Sequence, residues 1–250
     1  MMWRALIFFL FAALPAEAEE QVVAGLSQTR ISISTNFDGS QILIFGAVKR
    51  ESPIPAGPLQ VVITVAGPSE PVVVRRKSKQ YGIWINTAQV DVDAAPSFYA
   101  VSTSALWNDS ISDTEDLRHK ISILRAIRSV GASIPGTENF TDALIRIRTG
   151  NGLYQTNIGT VKVDQETLFD TAVTLPSNLR EGSYTVRFYL TRGGRVIDSY
   201  QKEIAVRKVG LERFLFKLAH DQSLSYGILA LSIAVFAGWG ASAAFRLIRN

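Results

Sequence analysis

Twenty consecutive residues, Tyr226–Phe245, carry no charge and no proline. As a helix rising about 1.5 Å per residue, such a run reaches roughly 30 Å, the thickness of a bilayer's hydrocarbon core. It reads as a transmembrane helix, residues 226–245. Arg246 and Arg249 follow at once in a tail of residues 246–250. Basic residues beside a span stay on the cytoplasmic side, so the tail is expected inside and the body of the chain outside.

The other end agrees. Arg4 precedes ten apolar residues, Ala5–Leu14, a run too short to cross a bilayer. Pro15-Ala16-Glu17-Ala18 then places small residues at −3 and −1 of a cut after Ala18. Basic start, short apolar stretch and A-x-A end are the parts of a signal peptide, residues 1–18. The expected location is a bacterial inner membrane, single-pass, with a periplasmic body and a cytoplasmic C-terminus.

Removing Arg4, Glu17, Arg246 and Arg249 leaves 23 basic against 21 acidic residues. A nearly neutral exported part gives no reason to expect nucleic acid. There are no cysteines, which excludes thiol catalysis, cysteine-based zinc sites and lipid attachment through cysteine. The exported part must instead depend on its hydrophobic core.

That part reads as mainly β. Ile31 and Ile33 alternate with serines, and Gln41–Phe45 follows a turn at Asn36–Gly39. Val61–Val65 and Val72–Val74 flank a Gly-Pro-rich turn and read as a hairpin. Ile83–Ile85 and Phe98–Val101 add two more strands. A helix is predicted over Asp113–Val130: Ser112 and Glu115 have capping-box spacing, and Leu117, Ile121, Leu124 and Ile127 share a face. Beyond it, Leu144–Arg148 alternates like a strand before Gly150-Asn151-Gly152. The stretch Leu175–Leu190 joins a turn, Gly182-x-Tyr184 and an alternating strand, resembling the tyrosine corner of immunoglobulin-like sandwiches. The expected architecture is two β-sandwich units, residues 19–110 and an Ig-like 136–208, joined by one amphipathic helix in 111–135. A single composite β domain is the rival reading. Residues 209–225 form a juxtamembrane amphipathic segment, with Leu211, Phe214, Leu215 and Leu218 at helical spacing.

Three stretches taken together resemble a known family: Ile42-Leu43-Ile44-Phe45-Gly46; Val74-Arg75-Arg76-Lys77 running to Gly82-Ile83-Trp84-Ile85-Asn86 and Pro96-Ser97-Phe98-Tyr99; and Lys208–Phe214 leading into the span. Their order and spacing are similar to those of the uncharacterised alphaproteobacterial transmembrane protein family. The resemblance covers nearly the whole mature chain and implies the same signal, domain and anchor layout. It implies no activity. The family's genes stand beside sulfite-exporter-like permeases, which implies a transport-accessory role.

Catalytic groups are sparse. His119 sits on the predicted helix near Glu115 and Asp116, and His220 lies beside Asp221 before the membrane. Both read as solvated polar neighbours, since no third metal ligand is close in sequence. Asp91 and Asp93 fall on a strand edge. No G-x-S-x-G, H-E-x-x-H or P-loop spacing occurs. No catalytic residue, metal site or cofactor is expected, and the chain is not expected to be an enzyme.

Two features remain as candidate sites. Arg75, Arg76, Lys77 and Lys79 put four positive charges into five residues, followed by Tyr81 and Trp84. The group could hold an oxyanion, a lipid headgroup or an acidic partner surface. Equally, it could be a charged hairpin end guarding a strand edge, with Trp84 in the core. In the span, Ala230, Ala234, Gly238 and Ser242 recur every four residues, a spacing that lets helices approach closely. The leading expectation is a membrane-anchored protein acting by protein–protein contact. Its partners would be the bilayer and a membrane protein, either a permease or a second copy. The alternative is an anion-binding sensor or substrate-binding module.

Overall fold

The computed structural model describes residues 20–34, 37–51, 53–129, 136–209, 215 and 218–248. The signal peptide, its cleavage point, the expected end of the predicted helix at Val130 and most of the juxtamembrane segment lie outside the described residues.

Strand-forming runs of alternating apolar residues build two facing sheets. Four strands form the first: β1 (Glu20–Leu26), β3 (Ser40–Arg50), β10 (Leu168–Leu175) and β9 (Lys162–Asp164), side by side in that order and antiparallel. Six form the second, in the order β2 (Arg30–Ile33), β12 (Arg195–Lys208), β11 (Gly182–Arg192), β4 (Leu59–Ala66), β7 (Tyr99–Thr103) and β8 (Tyr154–Asn157). In the second sheet β2 runs parallel to β12 and β8 parallel to β7; the other pairings are antiparallel.

Period-two alternation sends one face of each strand into the gap between the sheets. Val22, Ile42, Ile44, Val173 and Leu175 meet Ile63, Val65, Val186, Phe188 and Ile204 there. Each such side chain contributes about 1.5–3 kcal/mol when taken fully out of water. The central strand β4 is buried almost throughout, because a second core covers the opposite face of its sheet. In that core Val62, Tyr99, Val101 and Tyr189 pack with residues of four helices or their flanks. These helices are α1 (Trp107–Ser110), α2 (Asp113–His119), α3 (Ile123–Ala126) and α4 (Thr137–Gly150). A last helix, α5 (Ser223–Ile248), follows β12.

The mainly β expectation holds, with different partners. The strands expected in two successive units share both sheets: β3 pairs with β10, and β4 with β11. Val61–Val65 and Val72–Val74 do not form a hairpin together. The latter belong to β5 (Ser69–Gln80), which pairs instead with β6 (Ile83–Pro96) in a separate two-stranded ribbon.

Two further elements differ. The helix begins as expected, with the Ser112 hydroxyl accepting from the Glu115 N–H, but breaks after His119. Lys120 turns left-handed (φ 53°), and the Asp116 carboxylate takes the N–H groups of Ile121 and Ser122 at 3.1 and 2.6 Å. The expected face is therefore split: Ile121 and Ile127 are buried, while Leu117 and Leu124 are exposed. Leu144–Arg148 is helical within α4, not a strand. Phe140, Leu144 and Arg148 recur at i, i+4 on the face that packs inward, where Arg148 donates to the Pro96 carbonyl and to the Tyr154 hydroxyl.

At the start of β11 the buried Tyr184 hydroxyl donates to the Arg180 carbonyl at 2.8 Å, the contact expected of a tyrosine corner. Burial pushes this phenol up from its ordinary value.

Candidate functional site

The ribbon β5–β6 leaves the sandwich between β4 and β7. At its root the Gly67 N–H donates to the Phe98 carbonyl and the Ser97 N–H to the Pro68 carbonyl, both at 2.8 Å. Gly67 is required here by close approach: an added Cβ would lie 2.7 Å from Ser97 Oγ and 2.9 Å from the Tyr184 ring. Tyr154 also donates to the Pro96 carbonyl (2.9 Å), Ala94 exchanges backbone bonds with Arg128, and Arg180 pairs with Glu70. One face of the lower ribbon, Val74, Val90 and Val92, joins the second core, and the Arg76 guanidinium lies over the Phe140 ring at 5.7 Å.

Above Arg76 the ribbon changes character. A register shift falls between Arg76 and Lys77, and from Lys77 to Thr87 every residue but the half-buried Ser78 is exposed. The four residues Lys77–Gln80 alone extend about 14 Å as a strand. Tyr81 and Gly82 close the arm in two residues, with φ of 51° and 85°. Positive φ at both central positions is the sign pattern of a type I′ hairpin turn. Glycine adopts it freely, whereas a tyrosine there costs about 1–2 kcal/mol. Tyr81 is fully exposed, and Trp84 and Ile83 are 67% and 64% exposed. Trp84 is thus at the surface, not in the core.

Pairing distributes the candidate cations. Lys79 stands opposite Trp84, Lys77 opposite Asn86 and Arg75 opposite Gln89, on one side of the ribbon by alternation. Arg76 is on the other side, on Phe140. The four cations do not converge on a point: three form a row with steps of about 7 Å. A row of this kind matches an extended anionic surface better than one small oxyanion.

The second candidate, Ala230, Ala234, Gly238 and Ser242, lies along α5, where residues 223–242 are almost entirely exposed. Among the described residues α5 is the one helix long and apolar enough to cross a membrane. An added Cβ at Gly238 would meet nothing within 4 Å. Glycine inside a helix costs about 1 kcal/mol relative to alanine, and no contact among the described residues accounts for it.

A buried ion network escapes any reading of the sequence, because its members lie far apart in the chain. Glu20, 5% exposed, accepts from Arg50 Nε at 2.5 Å and from Arg192 Nε and Nη2 at 2.8 and 3.0 Å. Arg192 also reaches Glu166 at 2.9 Å. The Arg192 guanidinium, aided by Arg50, holds the Glu20 carboxyl below its usual range against the opposing effect of burial. The network joins β1, β3 and β11 to the β9–β10 turn. Its charges are saturated by one another, which suits a structural tie.

His119 lies with Nε2 3.3 Å from Glu115 Oε2 and its ring 5.4 Å from that of Tyr189. Among the described residues no group of three or more histidine or carboxylate side chains could hold a metal ion.

A β-sandwich body followed by a helix suited to a bilayer defines a class, the transmembrane proteins with a β-rich domain. Within it, the chain belongs to the family described as "Putative transmembrane protein (Alph_Pro_TM)", whose model matches residues 21–247. No curated protein matches the sequence. Among solved structures, the sporulation control protein Spo0M from Bacillus subtilis aligns at 10% identity over 81% of this chain and 55% of that one, with a TM-score of 0.29. This chain thus spans about half the length of that protein, and a likeness of that size carries no argument.

Proposed function

We propose that the chain is a membrane-anchored envelope protein that acts by protein–protein contact, as an accessory or assembly factor of a membrane complex. The observation that carries this reading is α5: an apolar, exposed helix whose Gly238 has no packing role among the described residues. Small residues at four-residue spacing let a second helix come close enough for backbone contact. The partner is then another membrane helix, from a permease or from a second copy. Arg246 and Arg249 beside the span support a cytoplasmic tail and a periplasmic sandwich, to which a signal peptide at residues 1–18 would deliver it.

The body is of a kind suited to contact. The order β1-β3-β10-β9 against β2-β12-β11-β4-β7-β8, with Tyr184 as a corner, supports an immunoglobulin variable-type sandwich built from the whole exported chain. Its ion network and buried tyrosines serve packing and leave the exposed surfaces to do the work.

Isolation of the tagged full chain in mild detergent, after cross-linking in the membrane, tests this. Recovery of a stoichiometric membrane partner or second copy is expected. Gly238→Leu should lower that recovery about tenfold, the order of a close helix contact worth about 1–2 kcal/mol. A chain that is recovered alone at native expression, before and after substitution, would overturn the reading.

A further inference from the structure

We propose that the tip of the β5–β6 arm is a second membrane contact, which seats at the headgroup level of the anionic leaflet that α5 crosses. This goes beyond the helix–helix contact proposed above and rests on a different part of the molecule.

The composition of the tip matches a lipid interface. Tyr81, Ile83 and Trp84 are exposed together at the end of the arm, and Ile85 is partly exposed beside them. Tyrosine and tryptophan collect at the membrane–water boundary because their rings are apolar and their polar atoms stay wet. Behind them stand Lys79, Lys77 and Arg75 along one side. Between Arg75 and Val90 there is no acidic residue, whereas the exported chain as a whole is close to neutral. Each basic side chain near an anionic leaflet adds about 1 kcal/mol of attraction. A row of separated cations fits many phosphates in a plane, whereas a single bound anion requires donors that converge.

The topology fixes where the arm is rooted. Ala66, the last residue of β4, is level with Thr185 of β11, which is level with Glu203 of β12. The arm therefore starts at the same end of the sandwich as that from which β12 leaves, at Lys208, toward α5. The opposite end of β4 is preceded by the loop holding Ile54.

The turn adds a third observation. Asparagine would hold the position of Tyr81 with less strain, since it tolerates left-handed backbone. A large aromatic kept there, fully exposed, gives the fold nothing. Strain of this sort is retained at surfaces that act on something else.

The absence of cysteine supplies the test, since single cysteines can be introduced without competing thiols. The full chain carrying Gln80→Cys, labelled with an environment-sensitive dye, is reconstituted into nanodiscs of neutral lipid or of neutral and anionic lipid mixed. A second sample carries the label at Ile54→Cys. In anionic discs the Gln80 label should shift to the blue and become shielded from an aqueous quencher, while the Ile54 label stays accessible. Replacing Arg75, Lys77 and Lys79 by glutamine should reduce tip occupancy about fivefold per cation. Ile83→Ser with Trp84→Ser should abolish the shielding with the melting temperature unchanged, because these side chains touch no core. A Gln80 label that stays accessible in anionic discs overturns the proposal. So does shielding that is equal in neutral discs or appears only on addition of a partner protein or at high protein-to-disc ratio, because the occupant is then a protein. The partner-recovery experiment above is read independently of either outcome.

Discussion

Glu20 shows how one buried charge binds distant parts of this chain. Its carboxylate receives both Arg50 and Arg192, and each guanidinium is itself largely enclosed. Removing the carboxylate takes the main charge partner from both guanidiniums, with Glu166 still at Arg192, and breaking a buried pair costs up to about 3–5 kcal/mol. Glu20→Ala should lower stability by that order, read from urea unfolding of the sandwich body. The interaction also has a pH signature. Because Arg192 and Arg50 hold the carboxyl below its ordinary value of 4.5, the stabilisation is complete above the unfolded value and is lost as pH falls through the lower folded one. The melting temperature should therefore drop on acidification below about pH 4.5, and Glu20→Gln should flatten that part of the curve. An unchanged acid limb in the glutamine variant would show that other carboxylates govern acid unfolding.

At the scale of elements, the arm and α4 teach opposite lessons. The arm's basic and aromatic residues stand in one stretch of sequence, so its composition was legible; its exposure was not. Alternation alone cannot tell a ribbon that packs from one that projects, and Trp84 fits either. The root decides. Gly67 lets the ribbon leave between Ser97 and the Tyr184 ring, with under 3 Å to either from any added Cβ. Gly67→Ala should cost about 1–3 kcal/mol through overpacking, seen as a lower melting temperature and faster proteolysis within residues 67–98. If instead the variant melts like the parent, the root is looser than these distances indicate. In α4 the alternation of Leu144, Arg146 and Arg148 with isoleucines looked like a strand. Helical spacing of Phe140, Leu144 and Arg148 prevails because that face meets Tyr154 just beyond the helix and Arg76 and the Pro96 carbonyl from distant segments.

For the whole molecule, the sheets cross the division suggested by the helical middle of the chain. Strands before residue 110 find their neighbours after residue 150, as β3 does with β10 and β4 with β11. A fragment of residues 19–135 would expose the inner faces of both sheets and should not fold alone. Circular dichroism and amide exchange of that fragment are expected to show an unfolded chain, while residues 19–209 fold cooperatively. A folded 19–135 fragment would restore the two-unit description. The sequence by itself determined the mainly β body, the apolar helix at Tyr226–Phe245, the cap at Ser112 and the basic-aromatic run. These rest on local period, length and side-chain chemistry, which neighbouring residues express directly. Tertiary structure alone decided which strand lies beside which and that Glu20 meets Arg192. It also put Trp84 at the tip of an arm. Such features depend on contacts between residues far apart in the chain, and a strand's pattern states which face is buried without naming the neighbour that buries it.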